Sequence, residues 1–405
     1  MGGLKSIFTV KNNKELILNG KISKALIMLA VPIIITNFLQ SMYNLTDTFW
    51  LGKIGTIPQA AISLVSPVQS TVMSFGQGIT MAGSILISQY IGAGDEKNGK
   101  GMANQIFLCS MIFSIVCAAV LCAASPLIIG WMGADAELMA PSNTYLRIVV
   151  LDMPLLFIMN IYSAVNQAQG NTISPMLVNF LGIFINMFLD PLLMFGLDMG
   201  IAGAALATLG AKIPCAAIGL ISLLNKKNYI HLDLKSMRPD WKKIKKIITV
   251  GFPTAVGNSA MQFGFVLMSK NVYVFGAEAM AAYGVGNKIN SVVTLPANAL
   301  GSATSTIVGQ NLGAGQLDRA ERGYKYARNF AVVFLFVLGM ILAREPVATL
   351  MVNIFTSDDA VVPMAVDFIA IMATWCFTNG VYNCTIGLLN GSGKKLFPAK
   401  KYSFM

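Results

Sequence analysis

Apolar residues along this chain gather into long runs, separated by short stretches rich in Gly, Asn, Asp, Lys and Arg. Ten of these runs are long enough to cross a bilayer, which takes about 20 residues of helix. They lie near residues 25–50, 58–88, 102–125, 144–166, 176–197, 201–224, 247–275, 279–308, 328–345 and 363–389. In hydrocarbon a helix satisfies its own backbone donors and acceptors, so the pattern predicts an all-α polytopic membrane protein.

The pattern also repeats. "LAVPIIITNF" at 29–38 returns as "TVGFPTAVGN" at 249–258, placing Pro32 against Pro253 and Asn37 against Asn258, 221 positions apart in both cases. The same offset pairs Gly55 with Gly276, Ala60 with Ala281, Ser70 with Ser291, Gln89 with Gln310 and Gly170 with Gly391, and it sets "IGAG" at 91–94 over "LGAG" at 312–315. Six spans in the first copy make both copies insert the same way round, as parallel-repeat transporters do, with a path between two bundles. The expected domains are a six-helix lobe over 1–225, a connector over 226–246 and a second lobe over 247–405. No counterparts of spans 176–197 and 201–224 follow Gly391, so the second lobe is expected to hold about four spans and to lack its last two helices.

Composition agrees with burial in lipid. Hydrophobic residues make up 55% and charged residues 12%, with a mean hydropathy of +0.65, whereas soluble domains carry about 25% charged residues. The net charge of +11 would suit a nucleic-acid partner if it formed one patch. Most of the 29 Lys and Arg instead fall at Lys5 to Lys24, at Lys97 and Lys100, and within 226–246, 319–328 and 394–401. All of these lie on one side if the spans alternate, while the other side holds Asp135, Glu137, Asp358 and Asp359. That is the positive-inside bias, which predicts a cytoplasmic N-terminus and no nucleic-acid partner. Cys109, Cys117, Cys122, Cys215, Cys376 and Cys384 sit in apolar runs without metal-ligand spacing and read as small core residues, as most of the 24 methionines do. The single histidine, His231, lies in the connector, which reads as a solvated linker. A membrane enzyme would need clustered His, Cys or acidic residues near one interface, so the chain does not read as an enzyme.

Ionisable side chains inside spans are costly and point to function. The acids are Asp47, Asp152, Asp190 and Asp367. Asn186 precedes Asp190 by one turn on the same helix face, and Pro191 removes a backbone donor beside the carboxylate. Thr208 in the sixth span lies at a depth similar to that of Asp190, about 10 Å in at ~1.5 Å per residue. Asp47, Asp190, Asn186 and Thr208 can therefore converge in the outer half of the first lobe, where paired carboxylates could carry a proton or hold Na⁺. The competing reading is a set of hydrogen bonds between neighbouring helices, and it is the favoured one for Asp152 and Asp367. Lys270 reads as snorkelling from a span end, while Lys212 and Lys288 lie deeper with no partner assigned. Pro32 and Pro253 interrupt equivalent spans and allow bending or a static kink.

The stretches "VPIIITNFLQSMYNLTDTFWLGKIG", "ISQYIGAGDEKNGKGMANQ" with its copy "VGQNLGAGQLDRAERGYKYAR", "AVNQAQGNTISPM" and "NMFLDPLLMFGLDMGIAGAALAT" together resemble the multidrug and toxic compound extrusion (MATE) family. The resemblance covers nearly the whole chain. It implies two helical bundles in the plasma membrane and export of small organic cations or other amphiphiles in exchange for H⁺ or Na⁺, by a monomer needing no cofactor beyond the coupling ion. Asp47, Asp190, Asn186 and Thr208 match the first-lobe cation site of the DinF-like branch, with Tyr145 and Asn160 as weaker matches. A second-lobe acid on the seventh span has only Gln262 in its place. The alternatives are a flippase for lipid-linked saccharides, which would need a strongly cationic cavity, and a non-transporting truncated fragment.

Overall fold

The computed structural model describes residues 10–356 and 358–393; Lys5 and the lysines of 394–401 lie outside them. Among the described residues the chain is helical, with no strand. A short helix α1 (Val10–Asn19) leads into α2 (Ile22–Ile54), followed by α3 (Thr56–Gly92) and α4 (Glu96–Trp131). The fourth span is broken into α5 (Ala136–Leu151) and α6 (Met153–Ala168). Helix α7 (Ile173–Pro191) runs into a π-helical turn, Leu192–Gly196, and α8 (Gly200–Leu224) ends the first set of spans. After the connector come α9 (Trp241–Tyr273), α10 (Ala277–Val293), α11 (Leu295–Gly313), α12 (Leu317–Leu342), α13 (Glu345–Asn353), α14 (Val361–Thr374) and α15 (Phe377–Ser392).

Helices occupy all ten expected spans. Six are long and apolar enough to cross a membrane on those criteria alone, and α14–α15, bent by 51°, make a seventh. The remaining three, α3, α9 and α10–α11, carry more Gly, Ser, Gln and Lys within their helical stretch. This is a multi-pass membrane protein.

The duplication is visible in the backbone. At the end of α3, Ala93 N–H donates to Gln89 O (3.0 Å), Gly94 to Ile91 O (3.1 Å) and Asp95 to Tyr90 O (2.9 Å). At the end of α11 the equivalent residues repeat the set: Ala314 to Gln310 O (3.0 Å), Gly315 to Leu312 O (3.1 Å) and Gln316 to Asn311 O (2.8 Å). Gly94 and Gly315 hold φ of 72° and 75°, and Gly55 and Gly276, ahead of α3 and α10, hold 130° and 102°. Side chains rarely adopt such angles, which is why glycine stands at the same register in both copies. The fourth and tenth spans also break at matching places, around Asp152 and around Trp375.

Two compact units emerge, one of residues 1–34 and 256–405 and the other of 35–255. The sequence reading puts the lobe boundary in the connector. Packing instead divides the chain inside α2 and inside α9, because the first turns of each helix pack with the other copy's elements. In the first unit, Ile17, Leu26 and Leu29 form a core with Leu300, Ile307 and Ala331. Arg319 adds hydrogen bonds to the carbonyls of Ile17 (3.1 Å) and Gly20 that hold α1 in place. In the second unit, Ile247 joins Ile87, Met102, Ile161 and Leu223.

Candidate functional site

The fifth span supplies the most deeply placed acid. Asp190 is fully buried and Asn186 is 3% exposed, and the Asn186 Nδ2 donates to Asp190 Oδ1 at 3.2 Å, as their one-turn spacing predicts. The loosening expected at Pro191 takes the form of the π-helical turn, in which Leu197 N–H donates to Leu192 O at 3.0 Å and Met199 to Leu193 O at 3.2 Å. Such turns often mark functional sites. Gly203 on α8 lies directly against this turn: a Cβ there would sit 2.7 Å from the Leu193 carbonyl.

Three other helices of the same unit bring groups to Asp190. Asp47 and Tyr43, one turn apart on α2, lie within electrostatic reach of Asp190 and of Tyr145 on α5. The Tyr43 hydroxyl faces the Thr208 hydroxyl on α8, whose own proton goes to the Ala204 carbonyl at 3.2 Å. Asp190 Oδ2 and Asn186 Oδ1 are buried without a hydrogen-bond partner among the described residues. Neither Asp47 nor Asp190 forms an ion pair among them. The structure thus brings together Asp47, Asp190, Asn186, Thr208 and Tyr145. Asn160 is half-buried on α6.

Pro32 and Pro253 sit inside continuous helices. Asp367 is exposed on α14, and Lys288 is exposed with its ammonium 5.9 Å from the Phe355 ring centre. The side chains of Gln262 and Lys270 fall outside the described ones.

Two features escape the sequence reading. Tyr43 is one, although its one-turn spacing from Asp47 is a usable signal. The other is the pairing of Lys212 with Asp152: the Lys212 Nζ donates to Asp152 Oδ2, with Asp152 1% exposed. Asp152 stands at the break of the fourth span, between the end of α5 and the start of α6. Tyr145 is within its electrostatic reach, and Lys212 follows Thr208 by one turn. A buried ion pair therefore lies beside the two unpaired acids.

Chemically the group is a cluster of oxygen donors: two carboxylates, an amide carbonyl and three hydroxyls. Oxygen-only donors suit hard cations, and carboxylates that form no ion pair with a protein cation suit a proton as well.

Comparisons with known proteins place the chain among membrane transporters. The chain is 29% identical over 384 residues to the probable multidrug resistance protein NorM of Thermotoga maritima, covering 93% of this chain and 82% of that protein. It is 27% identical to an FAD transporter of Shewanella oneidensis, covering 85% of this chain and 77% of that one. Its fold matches an outward-facing multidrug resistance MATE family transporter of the MOP superfamily with a TM-score of 0.88 at 22% identity, over 93% of this chain and 84% of the other. The MatE family profile matches residues 32–192 and 253–403, and the chain therefore belongs to the MatE family.

Proposed function

We propose that the protein is a secondary active antiporter of the plasma membrane. It exports small amphiphilic or cationic compounds in exchange for H⁺ or Na⁺, taken up at Asp47 and Asp190. The observation that carries this reading is the pair of first-lobe acids without a protein counter-ion, next to a third, Asp152, that has one. Two like charges in a low-dielectric bundle repel, and one bound cation or proton relieves the repulsion. Loading and unloading the site thus changes how strongly α2, α7 and α8 attract one another. Pro32 leaves α2 one backbone hydrogen bond short and so easier to bend in response. The names of the relatives, a multidrug resistance protein and multidrug export proteins of Staphylococcus aureus, support drug-like cargo. Lys212 is engaged by Asp152, which removes it from the cationic cavity that a saccharide-pyrophosphate flippase requires.

The test is Asp190→Asn in a drug-sensitive host. The variant should reach the membrane at the level of the parent and lose efflux driven by a proton or Na⁺ gradient. Gradient-driven efflux at the parent's rate would place the coupling site elsewhere.

A further inference from the structure

The connector is built into the bundle rather than merely tethered to it. Two buried side chains near the start of α4 hold it by reciprocal hydrogen bonds. Asn104 Nδ2 donates to Asp233 O (3.2 Å) and its Oδ1 accepts from Asp233 N–H (3.0 Å). Gln105 Nε2 donates to Arg238 O (2.7 Å) and its Oε1 accepts from Asp240 N–H (3.0 Å). Ile230 and Leu232 are buried in the unit's main core. The clamped connector encloses, with α4 and the start of α9, an open cavity of about 900 Å³.

Five basic side chains line that cavity: Lys97, Lys100, Arg238, Lys242 and Lys243. Two acids also line it, and both are engaged by the backbone. Asp233 Oδ1 accepts from Lys235 N–H, and Asp240 Oδ1 accepts from Lys242 and Lys243 N–H. Lys100 pairs with Glu96 at 2.5 Å and Lys243 with Asp240 at 3.7 Å. Lys97, Arg238 and Lys242 form no ion pair among the described residues. Gly101 gives the Lys243 ammonium room to lie over α4, since a Cβ there would collide with it.

We propose that this cavity is a binding site for a phosphate-bearing anion, with the headgroup of an anionic phospholipid as its source. Several cations spread around one cavity suit a group with several negative oxygens, and guanidinium and ammonium groups together are the usual donors to phosphate. Trp241 lines the same cavity and is 77% exposed, and Leu234 in the connector is 56% exposed. An exposed tryptophan beside a basic pocket at a span end belongs at the boundary of headgroups and acyl chains. A purely soluble ligand gives no reason for an exposed indole in its lining. Occupied, the site ties the connector and the first turns of α9 to α4.

The experiment uses the full chain in nanodiscs of phosphatidylcholine, with or without phosphatidylglycerol, and reads retained lipid by native mass spectrometry and the melting temperature. Phosphatidylglycerol should be retained and should raise the melting temperature, less so as salt is added. Arg238→Gln and Lys242→Gln should each weaken retention about fivefold, while Lys226→Gln and Lys227→Gln, which remove equal charge outside the cavity, should not. Both pairs should melt alike in pure phosphatidylcholine, separating loss of the ligand from loss of folding. Glycerol 3-phosphate added to phosphatidylcholine discs separates the sources: no effect assigns the site to the lipid, and stabilisation equal to the lipid's overturns that source in favour of a free anion. Equal weakening by the control pair, or no preference for phosphatidylglycerol, would overturn the site itself.

Discussion

Asp190 shows how one side chain's surroundings are built from its neighbours. Asn186 is fixed against it by helical spacing alone, while the π-helical turn after Pro191 and the approach of α8 at Gly203 decide what else the carboxylate meets. That approach makes Gly203 a sharp residue-scale test. A side chain there meets the backbone of Leu193 and Met194, which cannot rotate away as a side-chain tip can. Gly203→Val should cost about 1–3 kcal/mol through overpacking and reduce export with it, since the displaced turn adjoins Asp190. Gly264→Ala, where a Cβ meets nothing within 4 Å, is the control and should melt no lower than the parent. Melting in detergent and drug resistance at matched membrane levels measure both effects.

At the scale of elements, the broken fourth span is joined to α8 by the Asp152–Lys212 pair. A charge at this depth is tolerated because its partner is beside it; Lys212 is itself only 21% exposed in its side chain. Lys212→Met should therefore leave a buried carboxylate uncompensated and cost about 3–5 kcal/mol. Adding Asp152→Asn should restore most of that stability, because the buried charge goes with its partner. If the double variant melts no higher than the single one, the pair is not what holds α8 to the break. If the stable double variant also loses drug export while Asp47 and Asp190 are intact, the pair positions the acid site through Tyr145 and Thr208.

At the scale of the whole molecule, the two copies share their turn geometry and differ in their polar content. Asp47, Asp152, Asp190, Asn186 and Thr208 belong to the first copy, and the basic connector with its clamp follows it. The lysine and arginine distribution predicts that the connector faces the cytoplasm. In a background with the six native cysteines replaced, Lys227→Cys should resist a membrane-impermeant maleimide applied to intact cells and react once they are opened. Glu137→Cys should react in intact cells. Labelling of Lys227→Cys from outside would reverse the topology.

The helices, the duplication and the one-turn pairing of Asn186 with Asp190 were legible in the residues alone, because each depends on local spacing along a single helix or on matching stretches of chain. The matching of "IGAG" with "LGAG" was legible for the same reason, and the positive φ of Gly94 and Gly315 in the structure explains why glycine stands at that register in both copies. The packing of distant helices makes Lys212 meet Asp152, 60 residues away, rather than stand alone in its span. It also decided that the connector is clamped by Asn104 and Gln105, and that the compact units divide within α2 and α9, where the apolar pattern runs on unbroken. Hydrophobicity says that a helix is buried but not against which neighbour. That choice is made by packing between distant segments, and it decides which polar side chains share a site.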